Sequence, residues 1–211
     1  MLTITNILEV EQHLDEIVGV IFDLDDTLYS EKQYVRSGYK AVAELMGEES
    51  FADELWGYFE KGKPAIDELL NKIDCKDKKE ECLKVYRFQE PDIHLYNGVR
   101  EMLERLKSKY KLGLVTDGRP EGQKAKIRAL ELEKYFDEII ITDELGGIEF
   151  RKPNPKAFQI LAGKFGEEYG QMCYIGDNIC KDFIAPEMLG MKSIWFRNQD
   201  GLYVREKVHL E

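Results

Sequence analysis

An apolar run at residues 18–22 delivers three carboxylates, Asp23, Asp25 and Asp26, with Thr27 directly after them. Buried unpaired charge is expensive, so carboxylates in such a place imply partners. Two close carboxylates serve two common chemistries. They can hold a hard cation such as Mg²⁺ through oxygen, or divide into an ionised nucleophile and an acid that its neighbour keeps protonated. Period-two alternation puts Asp23 and Asp25 on one side for as long as the chain stays extended. The competing explanation is a helix-capping cluster or an acidic loop. Other apolar runs end in equally pointed groups. Residues 112–115 lead into Thr116-Asp117-Gly118, and residues 172–175 into Gly176-Asp177-Asn178, with Asp182 following. Lys152 stands in Arg151-Lys152-Pro153-Asn154-Pro155. Taken singly, Thr116 could be a turn residue, Lys152 a solvated lysine and Asp177 an N-cap. Together at strand ends, a hydroxyl, an ammonium, open backbone N–H groups and several carboxylates would share one crevice.

The elements that must position these groups are legible as five β-rich runs, at 18–22, 112–115, 138–141, 172–175 and 193–196. From the second run onward they alternate with helical patterns. Val99, Met102, Leu103, Leu106 and Tyr110 share one helix face, and Phe158, Leu161, Ala162 and Phe165 repeat the spacing behind Pro155. Near-continuous apolar strands alternating with helices predict an α/β fold, a doubly wound parallel five-stranded sheet covered on both faces. In such sheets ligands bind outside the carboxyl ends of the strands.

The first two runs are almost 90 residues apart, far more than one crossover requires. Most of that interval reads as helix. Ser30-Glu31-Lys32-Gln33 resembles a capping box, and Val35, Tyr39, Val42 and Met46 mark a buried face that ends at Gly47. A second helix starts at Ser50. A third follows Pro64, with Ile66, Leu69, Leu70 and Ile73 inward, and a fourth covers about 77–88. Four short helices can form a bundle of their own. The division is therefore a core of residues 1–29 and 92–211 with an inserted helical unit at 30–91. Residues 6–17 are expected to form one more surface helix.

The 211 residues are 43% apolar with a formal charge of −11, enough to bury a core and unfavourable for nucleic-acid polymers or anionic membranes. No run approaches a membrane span, and no basic region precedes Lys32 as a signal peptide would require. Cys75, Cys82, Cys173 and Cys180 lack CxxC spacing and read as reduced thiols of a cytoplasmic protein.

The set Asp23-x-Asp25-x-Thr27, Thr116, Lys152 and Gly176-Asp177-x4-Asp182 resembles the four motifs of the haloacid dehalogenase-like hydrolase superfamily, in family order. The resemblance runs from about residue 18 to residue 196. The helical insertion is similar to the C1 cap of subfamily I, and the implied strand order is 5-4-1-2-3. The resemblance implies that Asp23 attacks phosphorus to form an aspartyl-phosphate. Asp25 then acts as acid toward the leaving oxygen and as base toward water. Thr116, Asp117, Gly118 and Lys152 would hold phosphoryl oxygens. Mg²⁺ would be held by Asp23, the Asp25 carbonyl and Asp177, with Asp182 supporting a metal-bound water or Lys152. A carboxylate at position 25 is typical of phosphatases and phosphomutases and usually missing from the dehalogenase and phosphonatase branches. The expected activity is phosphatase action on a small phosphorylated metabolite, a nucleotide or sugar phosphate. The alternatives are a phosphomutase and a catalytically silent phosphate-binding module. A phospho-accepting signalling receiver is a poor fit, since its acceptor aspartate lies on the third strand. Tyr34, Arg36 and Arg87 are candidate cap contributors, and Arg119 and Gln123 follow Thr116 closely enough to reach the site. Asp117 departs from the Asn often found beside the motif threonine. Oligomeric state is not legible.

Overall fold

Alternation along each strand sends side chains to two separate apolar layers, and this places the sheet in the middle of the molecule. The computed structural model describes residues 1–202. The strands are β1 (Leu2–Ile4), β2 (Gly19–Phe22), β3 (Lys111–Thr116), β4 (Glu138–Ile141), β5 (Met172–Gly176) and β6 (Lys192–Phe196). They form one sheet in the order β1-β6-β5-β2-β3-β4, with every pairing parallel. Val20, Phe22, Leu112, Leu114, Cys173 and Ile175 face one layer, whereas Ile21, Val115, Met172 and Tyr174 face the other.

The expected order of five strands is present, but among the described residues the sheet has six. The sixth is β1, which pairs Ile4 with Phe196 at the edge. Three residues are too few to display a period, so the sequence pattern does not reveal it. The expected surface helix at 6–17 is also corrected. A tight 3-10 helix occupies Ile7–His13, capped by Asn6 and Glu9, and buries Ile7 and Val10 in the same layer as Phe22. It packs against α5 (Val99–Lys107). Gly98 makes the approach possible: its φ of +83° suits glycine, and a Cβ there would lie 2.9 Å from Leu8 Cδ1.

The insertion contains α1 (Glu31–Met46), α2 (Phe51–Glu60), α3 (Ala65–Lys72) and α4 (Lys79–Arg87), with a short 3-10 turn at Lys76–Lys78. Their apolar faces form a third cluster around Val42, Leu55, Leu69 and Cys82. Gly38 lets α1 meet α4, since a Cβ would fall 2.5 Å from the Tyr86 ring. Gly47 ends α1 in the left-handed conformation, as expected. The Ser30–Gln33 capping box does not form: Ser30 makes no side-chain cap hydrogen bond. The anion at this helix end is Asp26, whose Oδ1 accepts from the Glu31 N–H at 2.8 Å. The Gln33 side chain instead pairs with the main chain of His94. Two chain crossings, around Tyr29 and Leu95, connect the bundle to the sheet and form an antiparallel bridge with each other.

The remaining α-helices among the described residues are α6 (Pro120–Ala129), α7 (Lys156–Phe165) and α8 (Ile184–Leu189). The part of the expected core division at 203–211 lies outside the described residues. Among the described residues no helix is long and apolar enough to cross a membrane. All four cysteines are free thiols. Burial of the 3-10 segment makes it part of the core: Ile7→Ala should lower unfolding free energy by about 2–5 kcal/mol in urea titration. An exposed surface helix would predict a change within about 0.5 kcal/mol.

Candidate active site

Strand β2 ends at Phe22, and the chain turns sharply once Asp23 has donated its N–H to Ile175 O at 2.8 Å. Asp26 lies at φ +53°. Asp26 thus departs from its two neighbours, while Asp23 and Asp25 reach the same cavity and engage different partners. Asp26 is buried and holds main-chain N–H groups of Glu31 and Leu202, at 2.8 and 2.7 Å. It is the capping residue of the group.

Asp23 faces Lys152. The Lys152 ammonium, with no exposed side-chain surface, donates to Asp23 Oδ1 at 2.6 Å and to the Tyr174 hydroxyl at 2.9 Å. It also lies 3.0 Å from Asp182 Oδ1, while Asp182 Oδ2 accepts from the Asn178 N–H at 3.1 Å. Burial opposes the Lys152 charge, but Asp182 and Asp23 outweigh it and hold the ammonium protonated. One ammonium does not satisfy every carboxylate present. Burial raises the Asp23 pKa, and Lys152 offsets this only in part. Asp177 is pushed up to about 9 by burial and then by Asp23 and Asp182. Oxygens of Asp23, Asp177 and Asp182 lie within 4.8 Å of one another. An all-carboxylate set with surplus negative charge suits a hard divalent cation.

Asp25 has its own cation. Lys126 Nζ donates to its Oδ1 at 2.7 Å, Tyr29 OH to the same oxygen at 2.5 Å, and Gln123 Nε2 to Oδ2 at 2.9 Å. Burial alone would raise this carboxyl, but the Lys126 charge and the three donors leave it below its ordinary value. Gln123 also donates to Thr116 Oγ1 and Asp117 O, each at 2.6 Å, fixing the end of β3. The Lys126 ammonium lies 4.3 Å from the Tyr34 ring centroid, so α6 and α1 share it.

The Asp117 carboxylate does not point at open space. It accepts from Thr142 Oγ1 at 2.9 Å, from the Lys152 N–H at 3.1 Å and from Lys181 Nζ at 2.6 Å. Burial is outweighed by the two lysines, and its pKa lies below the ordinary value. This carboxylate joins β3, the Lys152 loop and the segment after β5.

Asp23, Asp25, Thr116, Asp117, Lys152 and Asp177 line one cavity of about 270 Å³ at the carboxyl edge of the sheet. Glu31, Arg151, Asn178 and Lys181 complete its wall. Asp182 stands behind Lys152, and Gly118 follows Asp117 at φ +133°. Of the further candidates, Gln123 is at the site and Tyr34 touches it through Lys126, whereas Arg36, Arg87 and Arg119 do not line the cavity. Arg36 stacks on Trp56, 3.7 Å from the ring centroid, beside a different groove.

Sequence reasoning missed Lys126, Glu31, Tyr29, Tyr174 and Lys181. One signal was available: Gln123 and Lys126, at i and i+3, are polar residues on the inward face of α6. The others depend on tertiary approach.

A sequence profile described as haloacid dehalogenase-like hydrolase matches residues 20–196, which include every motif around this cavity. The chain belongs to that family. A phosphoglycolate phosphatase of Aquifex aeolicus is 35% identical over 186 residues, 82% of each chain. A glyceraldehyde 3-phosphate phosphatase of Methanopyrus kandleri is 28% identical over 208 residues, 86% of this chain and 84% of the relative. One of the same name from Pyrococcus abyssi is 36% identical over 101 residues, but the match spans only 41% of that protein's length. The haloacid dehalogenase-like fold is matched by a Geobacter sulfurreducens hydrolase of this superfamily, at TM-score 0.65 and 21% identity, over 92% of this chain and 96% of that one. A phosphatase of this superfamily from Thermococcus onnurineus matches at TM-score 0.55 and 27% identity, over 89% and 90%.

The crowded carboxylates give a pH signature. An acid whose folded pKa is raised contributes stability below its unfolded pKa and loses it as pH climbs through the folded value. For Asp177 that window runs from the usual carboxylate range up to about 9. In chelator-treated protein, Asp177→Asn should therefore gain Tm relative to wild type as pH rises from 5 to 9. A divalent cation should raise the wild-type Tm and move the variant far less. Differential scanning calorimetry checks both.

Proposed function

We propose that this haloacid dehalogenase-like hydrolase is a Mg²⁺-dependent phosphatase that releases phosphate from a small phosphorylated metabolite through an aspartyl-phosphate on Asp23. The observation that carries the reading is Asp23 buried at the end of β2, 2.6 Å from Lys152, in one cavity with Asp25, Thr116 and Asp177. Phosphoryl transfer needs mainly positioning and charge stabilisation, which a compact polar cavity of this kind supplies. Asp23 is the nucleophile: its oxygen bonds to phosphorus as the bond to the leaving oxygen breaks. Lys152, the Thr116 hydroxyl and main-chain N–H groups at Asp117 and Gly118 hold the phosphoryl oxygens. Asp23 and Asp177, with the Asp25 carbonyl, would hold Mg²⁺, which supplies two positive charges beside the phosphoryl group when bound. Asp182 orients Lys152.

Asp25 acts twice. An entering phosphate dianion raises its proton affinity, so it takes up a proton and passes it to the leaving oxygen. It is then an anion, and it takes a proton from the water that attacks the phosphoenzyme. Lys126 and Tyr29 stabilise that anion, the form required for the second step. Residues 30–91 are proposed as a cap over a core of 1–29 and 92–211, with the bridge between Tyr29 and Leu95 as its connection. The free thiols fit a cytoplasmic setting.

The roles of the two aspartates separate by mutation. Asp23→Asn removes the nucleophile, and p-nitrophenyl phosphate turnover with Mg²⁺ should fall to background. Asp25→Asn should slow turnover by about 10²–10⁴-fold. Because an activated leaving group needs the acid less, phosphoenzyme should accumulate in Asp25→Asn more than in wild type. Rapid-quench mass spectrometry locates the phosphate, and its reproducible appearance on another residue would overturn the mechanism.

A further inference from the structure

The cavity wall carries information about the part of the substrate that leaves. Five carboxylates, of Asp23, Asp25, Glu31, Asp117 and Asp177, line it against three cations, of Arg151, Lys152 and Lys181. Each of those cations already has a carboxylate partner. Arg151 makes a two-pronged contact with Asp143, 2.7 Å on each side. Lys181 lies 2.6 Å from Asp117, and Lys152 lies between Asp23 and Asp182. A bound divalent cation and a phosphoryl dianion bring equal and opposite charge, so together they add no positive surplus. Among the described residues lining the cavity, no cation is unpaired and available for a second anionic group.

Glu31 is the other half of the observation. It lies in the first turn of α1, on the cavity wall, and its main chain is fixed by Asp26 at 2.8 Å. Its nearest cation, Lys126, is 4.0 Å away and already bonded to Asp25. Among the described residues its carboxyl oxygens have no hydrogen-bond donor, and the same holds for Asp177 alone of the other lining carboxylates. Asp177 belongs to the cation cluster, so Glu31 is the lining carboxyl left over for a ligand. Burial, followed by Asp25, pushes its proton affinity up, so it can donate to or accept from a neutral polar group. The volume, about 270 Å³, is below the range of drug-sized pockets and fits a short chain beside the phosphoryl group.

We propose that Glu31 is a specificity-determining residue that hydrogen-bonds an uncharged leaving group bearing hydroxyl or aldehyde oxygens, and that the site disfavours short substrates whose leaving group carries a carboxylate. This rests on the phosphatase reading and narrows its substrate class to phosphate monoesters of short neutral polyols and hydroxyaldehydes. A site built to bond a hydroxyl discriminates strongly against partners that leave its polar group unpaired or oppose its charge.

The test compares kcat/KM for glycerol 1-phosphate and glyceraldehyde 3-phosphate with that for phosphoglycolate and 3-phosphoglycerate, with Mg²⁺ throughout. In wild type the neutral pair should lead by about tenfold or more. Glu31→Gln keeps the shape and hydrogen bonding of the protonated acid and should leave that ratio close to the wild-type value at neutral pH. Glu31→Ala should lower it by weakening the neutral ones, mainly through KM. A wild-type preference for phosphoglycolate, or a ratio unchanged in Glu31→Ala while p-nitrophenyl phosphate is still hydrolysed, overturns the role of Glu31 and leaves the phosphatase reading standing. Failure of wild type to hydrolyse any ester, p-nitrophenyl phosphate included, overturns both.

Discussion

A single buried ammonium, Lys152 between Asp23 and Asp182, is the contact around which the molecule is arranged. Neither carboxylate would tolerate burial alone, and the lysine would not tolerate it without them. The three residues come from different segments: the end of β2, the loop before α7 and the turn after β5. A parallel sheet is what brings such segments together, because all its strands release the chain at the same edge. Tyr174 adds a hydroxyl from within β5, so the ammonium has three oxygen partners. The charge balance still leaves negative surplus at Asp177. That surplus leaves the edge not a self-satisfied ion-pair network but one short of positive charge, the condition that suits a hard divalent cation.

The second aspartate is served by a different device. Asp25 sits two residues beyond Asp23, yet its partners are Lys126 and Gln123 of α6 and Tyr29 of its own turn. Separation of the two carboxylates onto different cations keeps their proton affinities apart, raised at Asp23 and lowered at Asp25. Paired titratable groups pushed in opposite directions are what acid–base chemistry requires. The separation follows from backbone geometry. The strand ends at Phe22, and Asp26 turns left-handed so that its own carboxylate can cap α1. The acid cluster thus contains both of the meanings its sequence admits, a chemical pair and a helix cap, divided residue by residue.

The long-period features were legible beforehand. Five strands and the four bundle helices follow from patterns that repeat over a turn or more, the residues at the carboxyl edge from the strand ends that carry them, and the strand order from the family resemblance alone. What escaped was short or tertiary. β1 has three residues, too few for alternation to register, and it exists because β6 offers it an edge. The 3-10 helix at Ile7–His13 lacks the 3.6-residue period and is held by the Gly98–Leu8 approach. Ser30 has the right residue type for a cap and loses the position to Asp26, which is five residues upstream of the amide it holds. Lys126 reads as an ordinary surface lysine until Asp25 and Tyr34 are brought against it.

The helical bundle closes an apolar cluster of its own, and its junction with the sheet is largely polar. Gln33 meets the main chain of His94, Ser37 Oγ accepts from the Asp92 N–H, and Tyr34 covers Lys126. Junctions of this kind permit relative motion of the two parts by default. Glu31 is an exception to that freedom. Its amide is bonded to Asp26, one residue from Asp25 and three from Asp23, so its first turn is fixed to the segment that carries both of those aspartates. Whatever the distal bundle does, the separation between Asp23 and Glu31 is set locally. A side chain whose backbone is fixed this way is preorganised, and engaging it costs little additional ordering.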